Sequence, residues 1–370
     1  MPLTKIPTST DLSDIYEKIM DKKRLEYEDG LRLFASEEIL TIGYLANIVR
    51  ERLNKNYAYY VINRHINYTN ICKNSCKFCA FSRTQENNDA FLLSIDEIRE
   101  KARQIIEEGA TELHIVGGLH PDIKLDYYLT LIESLHDCFP KVHLKAFTAV
   151  EIVHFAQMRG TTTTEILRLL KNAGLGSLPG GGAEIFAPHI RNELCPEKIS
   201  GEIWLKTMRE AHNLGLRSNA TLLYGHIEKD EDRVNHLLQL RALQDETKGF
   251  MSFIPLAFHP KNTELHGLSG TQGILDLKML AIGRLMLDNF DHIKAYWIML
   301  GIKLAQVSLN FGVDDIDGTV IEEKITHSAG AKTPESLTVD QIRSLIEETG
   351  HEPVERDTLY NRVILNQHKG

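Results

Sequence analysis

Apolar residues recur along this chain at the three- and four-residue spacing of amphipathic helices, and short, almost wholly apolar runs separate the helical stretches. Ser94-Ile-Asp-Glu97 has the form of a capping box, and Ile98, Ala102, Ile105 and Ile106 follow on one face up to Gly109. A second helix is predicted from Thr164 to Asn172, with Ile166, Leu167, Leu169 and Leu170 in helical spacing and Gly174 as its stop. Trp204, Met208, Ala211 and Leu214 mark a third, closed by Gly215, and Arg233 to Glu246 a fourth that closes near Gly249. The strand candidates are VINRHINYTN (61–70), ELHIVGG (112–118), VHLKAF (142–147), the stretch GLGSLPGGGAEIF (174–186), ATLLYG (220–225), FMSFIPLAF (250–258) and IKAYWIML (293–300).

Apolar strands that alternate with helices imply parallel βαβ units buried on both faces. Six to eight such units in about 260 residues predict an α/β barrel of the TIM type, near-complete, over an open doubly wound sheet. The barrel is expected over 57–319. Residues 1–56 are charged and helical in pattern, with no strand before Tyr57, and read as an N-terminal extension. Residues 320–370 read as a C-terminal extension packed on the barrel. They carry a second capping box (Thr338-Val-Asp-Gln341), a short helix ending at Gly350, HEPVERD as a turn, and a last strand-like run, LYNRVILN.

Composition narrows the partners. With 42 basic and 51 acidic side chains in 370 residues, the net charge of −9 argues against nucleic acid or an anionic membrane surface. No apolar run approaches the roughly 18–20 residues that span a bilayer. The opening residues lack the pattern of a secretory signal, so a cytoplasmic address is expected.

The five cysteines are an odd set, with Cys72, Cys76 and Cys79 on one loop and Cys138 and Cys195 far away. That distribution fits a metal site in a reducing compartment better than a disulfide framework. Cys72-Lys-Asn-Ser-Cys76-Lys-Phe-Cys79 follows the first strand candidate, where loops of a barrel gather their chemistry. Three thiolates hold three corners of a 4Fe–4S cluster and leave one iron open, while Lys73 and Lys77 favour the thiolate form. The rival reading is a zinc-stabilised binding module, with His65 as a conceivable fourth ligand. Cys138 and Cys195 are expected to be ordinary buried or semi-buried thiols.

At these residues the chain resembles the radical S-adenosylmethionine (radical SAM) enzymes, whose signature is this cysteine spacing with an aromatic residue, here Phe78, before the last thiol. The resemblance implies a 4Fe–4S cluster on Cys72, Cys76 and Cys79, with S-adenosylmethionine bound at the open iron. It further implies that Gly117 and Gly118 receive the methionine ammonium group, although Leu119-His120-Pro121 replaces the usual acidic residue there. Thr148, Glu151, Glu184 and Lys198 are the implied contacts to methionine and ribose, and LLYGHIE with Gly225 and Glu228 resembles the adenine-flanking motif.

The match narrows further. CKFCAFSR, HIVGGLHP, FTAVEI, LPGGGAEIF, QDETKGFMSFIPLAFHPKNT and VDDIDGTVIEEKI resemble the aminofutalosine synthases of the futalosine route to menaquinone, over roughly residues 60–330. The dehypoxanthine futalosine cyclases and the second subunit of the deazaflavin synthase share some of these elements and remain alternatives. The closer resemblance implies transfer of a 5′-deoxyadenosyl radical to 3-[(1-carboxyvinyl)oxy]benzoate, with flavodoxin or ferredoxin as reductant. A dianionic substrate calls for cationic and hydrogen-bonding side chains near strand ends. The candidates are Ser82, Arg83, Asn219 and Thr221, with Arg191 and His259 as the catalytic pair and Tyr296 and Trp297 as walls for the aryl ring. Asp314, Asp315 and Asp317 read either as solvated turn residues or as groups positioning a water.

Overall fold

The architecture follows from the apolar strand runs, each of which must be covered on both faces. The computed structural model describes residues 11–363, so the end of the LYNRVILN run (364–366) lies outside the described residues. Among the described residues ten strands form: β1 (Tyr57–Val61), β2 (Asn63–Asn67), β3 (Glu112–Val116), β4 (His143–Ala146), β5 (Ser177–Leu178), β6 (Arg217–Tyr224), β7 (Phe250–Ala257), β8 (His292–Ile293), β9 (Asp315–Gly318) and β10 (Glu352–Glu355). Strands β2 to β8 pair in chain order, all in parallel, and curl into a partial barrel with helices outside.

The gap between β8 and β2 is bridged by the late segment 314–321. Ala295 N–H donates to the Asp315 carbonyl at 2.8 Å on one side, and His65 N–H donates to the Ile321 carbonyl at 3.0 Å on the other. Three ion pairs hold this segment, Asp314 with Arg284 (2.5 Å), Asp315 with Arg356 (2.6 Å) and Asp317 with Lys294 (2.9 Å), and Asp314 also accepts a hydrogen bond from His292 Nδ1 (2.6 Å). All three aspartates are buried. The expectation of solvated turn residues is therefore corrected; their charges are matched inside the protein, as burial requires.

Helix ends obey the predicted chemistry. Ser94 and Glu97 cap Ile95–Ile106 reciprocally, and Thr338 and Gln341 do the same for Val339–Glu347. Strand ends are less faithful to the sequence pattern. The run at 61–70 covers only β2, because Tyr57–Val61 is a separate strand that pairs with β9 and β10 in a second, three-stranded sheet. In IKAYWIML only Ile293 is strand, and Trp297–Leu300 turns into a helix. HEPVERD is not a turn but carries β10, an edge strand in which Pro353 costs no ladder bond toward a neighbour. Among the described residues before Tyr57 the chain forms the helices Ser13–Met20, Tyr27–Ala35 and Ile39–Asn54, the last of which packs on Gly273–Met286.

Candidate functional site

A cavity of about 330 Å³ opens where the strands end, and its walls unite most of the residues picked from sequence. Cys72, Cys76 and Cys79 line it, with Phe78, Ser82, Gly117, Gly118, Thr148, Glu151, Glu184, Lys198, Asn219, Thr221, His259 and Tyr296. The thiols are free and partly exposed. Among the described residues no three His, Cys, Asp or Glu side chains converge as they would on a single ion. A cubane asks for something else, one thiolate per iron, and three thiols spaced along one loop at a cavity wall suit it.

The glycines are forced by close approach. A Cβ on Gly118 would lie 2.2 Å from the Ile71 carbonyl oxygen and 3.1 Å from the Cys72 Cβ, so only glycine lets this edge touch the cysteine loop. The edge is held from behind by Glu151. Its Oε1 accepts from Tyr68 O–H (2.7 Å) and Gly117 N–H (3.2 Å), and its Oε2 from Thr148 N–H (2.6 Å) and Thr148 O–H (2.8 Å). Thr148 and Glu151 are also the capping box of Ala149–Arg159. Burial pushes the Glu151 carboxyl up, against those four donors.

Glu184 Oε1 and Lys198 Nζ meet at 2.5 Å. Burial opposes the Glu184 charge, but the Lys198 ammonium outweighs it and holds the carboxyl below its usual range. Lys198 also stands 5.3 Å over the Phe78 ring. Phe147 (φ 59°), directly after β4, and Glu184 (φ 47°), in the loop after β5, both adopt the left-handed region. His259 donates from Nε2 to the Met299 carbonyl (2.9 Å).

Three predicted residues fall outside the cavity. Arg191 is buried and donates to the carbonyls of Ala183 (2.6 Å), Ile185 (3.1 Å) and Ile199, so its fork is spent on backbone and not on substrate. Arg83 pairs with Asp89 (2.8 Å) and with the Ala80 and Ser82 carbonyls. Trp297 donates to the Gly318 carbonyl (2.9 Å) inside the core. Gly225 and Glu228 also lie off the walls; Glu228 accepts from Gly225 N–H (2.7 Å) and pairs with Arg233 (2.5 Å). One thiol needs correction as well: Cys138 is exposed, whereas Cys195 is buried as expected.

The cavity floor was not picked from sequence. His65, His114 and Lys145 sit in register on β2, β3 and β4, so their side chains point into the barrel at one level. The His65 and His114 rings stack at 4.4 Å, and Tyr296 lies nearly parallel to His65 at 6.3 Å. Burial keeps both imidazoles below their ordinary value, hence neutral. Lys145 pairs with Glu112 (2.7 Å) and Lys294 with Asp317 (2.9 Å). His65 Nε2 is buried without a hydrogen-bond partner among the described residues. The available signal was a polar residue at an inward strand position, matched across neighbouring strands.

A curled parallel sheet, a three-cysteine loop after its first strand and a glycine edge beside that loop define a class: the chain belongs to the radical SAM superfamily and is an enzyme. The superfamily's profile matches residues 66–240, and that of the CofH/MqnC C-terminal region matches 247–368. Among curated relatives, aminodeoxyfutalosine synthase of Thermus thermophilus is 48% identical over 95% of this chain and 96% of its own length. The 5-amino-6-(D-ribitylamino)uracil–L-tyrosine 4-hydroxyphenyl transferase of Archaeoglobus fulgidus is 44% identical over 89% of this chain and 96% of its own. Crystalline methylornithine synthase shares the fold, with a TM-score of 0.74 at 17% identity over 92% of this chain and 97% of that one. No helix among the described residues is long and apolar enough to cross a membrane.

Proposed function

We propose that this enzyme makes 6-amino-6-deoxyfutalosine by adding the 5′-deoxyadenosyl radical of S-adenosylmethionine to 3-[(1-carboxyvinyl)oxy]benzoate, with aryl migration, consumption of one water and release of methionine and bicarbonate. The observation that carries the reading is the 48% identity over nearly the whole of both chains, which includes the late segment supplying Asp317, Glu323, Ile325 and Thr326 to the cavity. A 4Fe–4S cluster, when bound, supplies the electron that splits the sulfonium. Cys72, Cys76 and Cys79 would hold three of its four irons. The Gly117–Gly118 edge, steadied by Glu151, takes the methionine end, and the Glu184–Lys198 pair offers one acceptor and one donor to ribose and carboxylate. Phe78, Leu223, Leu256 and Phe258 keep water from the radical. At the floor, His65 Nε2, Lys145, Lys294 and Asn219 hold the polar groups of the benzoate substrate, with Tyr296 against its ring. Flavodoxin or ferredoxin is the proposed electron donor.

The 44% identity to the tyrosine transferase favours one second reading, a transfer between tyrosine and 5-amino-6-(D-ribitylamino)uracil. Mass spectrometry on the anaerobically reconstituted enzyme, with S-adenosylmethionine and dithionite, decides between them. Aminodeoxyfutalosine and methionine from the enolpyruvyl benzoate are expected, and a C72A/C76A/C79A variant is expected to form neither. A product from tyrosine and the diaminouracil alone overturns the synthase reading.

A further inference from the structure

The glycine edge and the turn after it, residues 117–120, are held from two sides. Toward the cysteine loop, Gly118 N–H donates to the Thr69 carbonyl (2.9 Å), and Lys73 N–H, next to Cys72, donates to the Leu119 carbonyl (2.9 Å). His120 N–H closes the turn on the Gly118 carbonyl (3.1 Å). On the far side stands the helix Ala149–Arg159. Its Glu151 takes Gly117 N–H (3.2 Å), and His154, three positions on and so on the same face, donates from Nε2 to the His120 carbonyl (3.1 Å). A carbonyl only accepts, so the hydrogen of that bond sits on Nε2. One helix face thus braces both ends of the turn.

His154 is 4% exposed, and its Nδ1 finds no partner among the described residues. Burial holds the imidazole below its ordinary value, so the ring is neutral. A leucine here would be buried without stranding a nitrogen; what histidine adds is the single N–H toward His120. Neither His154 nor His120 lines the cavity, whereas Gly117, Gly118 and Leu119 between the two braces do. The ring therefore reaches the site only through that backbone. Leu119 and His120 bring no acidic side chain to the edge, so its contact to an ammonium group depends on where the backbone stands.

We propose that His154 is a positioning residue for the methionine end of S-adenosylmethionine, fixing the 117–120 turn through the His120 carbonyl. The proposal rests on the cofactor reading of this edge given above. The test uses the full chain as wild type, H154L, H154M and H154Q, the last of which keeps an N–H donor. In the cluster-free chain, deuterium uptake is followed by mass spectrometry in fragments that cover 117–122. On the anaerobically reconstituted enzyme, the Kd of S-adenosylmethionine is measured by equilibrium dialysis, and KM and kcat are measured for its cleavage. H154L and H154M are expected to exchange faster at 117–122 and to raise Kd and KM about threefold to tenfold, the range that one lost hydrogen bond gives, with kcat nearly level. H154Q is expected to stay close to the wild type in both arms. An unchanged Kd in the donor-less variants overturns the proposal. So does an H154Q as weak as H154L, because packing and not the donor would then hold the turn. Failure of both donor-less variants to fold overturns it too, since the ring would be a core residue only. A wild-type chain that binds no S-adenosylmethionine fails the cofactor reading instead.

Discussion

Replacing Lys198 by methionine keeps the side chain's length and removes its charge, leaving Glu184 buried without its partner. The two charged atoms are 2.5 Å apart, and the side chains are 15% and 11% exposed. At an effective dielectric near 20 that separation corresponds to about 6–7 kcal/mol of gross attraction. Desolvating two ions takes back several kcal/mol, and removal of one partner of such a pair costs about 3 kcal/mol net. At about 2.1 cal/mol/K of unfolding entropy per residue, K198M is expected to lower Tm by roughly 4 °C. The measurement is scanning calorimetry on the cluster-free chain, which keeps metal loading out of the comparison. Glu184 has its carboxyl held low in the folded state, so its contribution is present above the ordinary glutamate range and lost as pH falls through its folded value. The gap between wild type and K198M should therefore narrow in acid. The double variant K198M/E184Q carries no stranded charge and should recover about half of the loss or more. Equal melting of K198M and wild type, or a double variant no more stable than K198M, would refute the assignment of a coupled buried pair.

Three further expectations concern other parts of the site. G118A drives a Cβ to 2.2 Å from the Ile71 carbonyl oxygen, whereas G267A meets nothing within 4 Å. S-adenosylmethionine cleavage should therefore fall at least about tenfold in G118A, a barrier change of roughly 1.4 kcal/mol, and stay level in G267A. R191M leaves the carbonyls of Ala183, Ile185 and Ile199 short of a donor, and is expected to cost about 2–4 kcal/mol in urea unfolding. The Glu323 side chain and carbonyl hold the His327 ring charged, raising it from 6.5 to about 9. Its stabilisation is complete below 6.5 and disappears as pH rises through 9. H327A should accordingly melt below the wild type at pH 6, and the difference should shrink by pH 10; a constant difference would be wrong for a titrating pair.

How much of this was readable in the chain depends on whether the information is local. The C-x3-C-x2-C loop, the capping boxes and the glycine edge are encoded within a few residues, and each stands where its spacing put it. Phe78 and Lys198 are 120 positions apart, yet motif order alone brought them to one wall. The floor was hidden because it depends on register across β2, β3 and β4, where one histidine or lysine in an apolar run has no neighbour in sequence to explain it. Arg191 misled because a guanidinium beside a glycine loop looks the same whether its fork binds substrate or carbonyls. Only a count of the carbonyls around it decides. The late aspartates looked solvated because their partners Arg284, His292, Lys294 and Arg356 come from other elements.

The seam closed by residues 314–321 also sets an order of assembly. Strands β2 to β8 pair in chain order, so each has its preceding neighbour already synthesised. The last stave joins Ile321 to Arg64, across most of the chain, and pairs late because that loop is the long one to close. A chain ending before Asp314 is expected to leave that seam open, with the amides of β2 and β8 exchanging fast with deuterium while those of β4 and β6 stay protected.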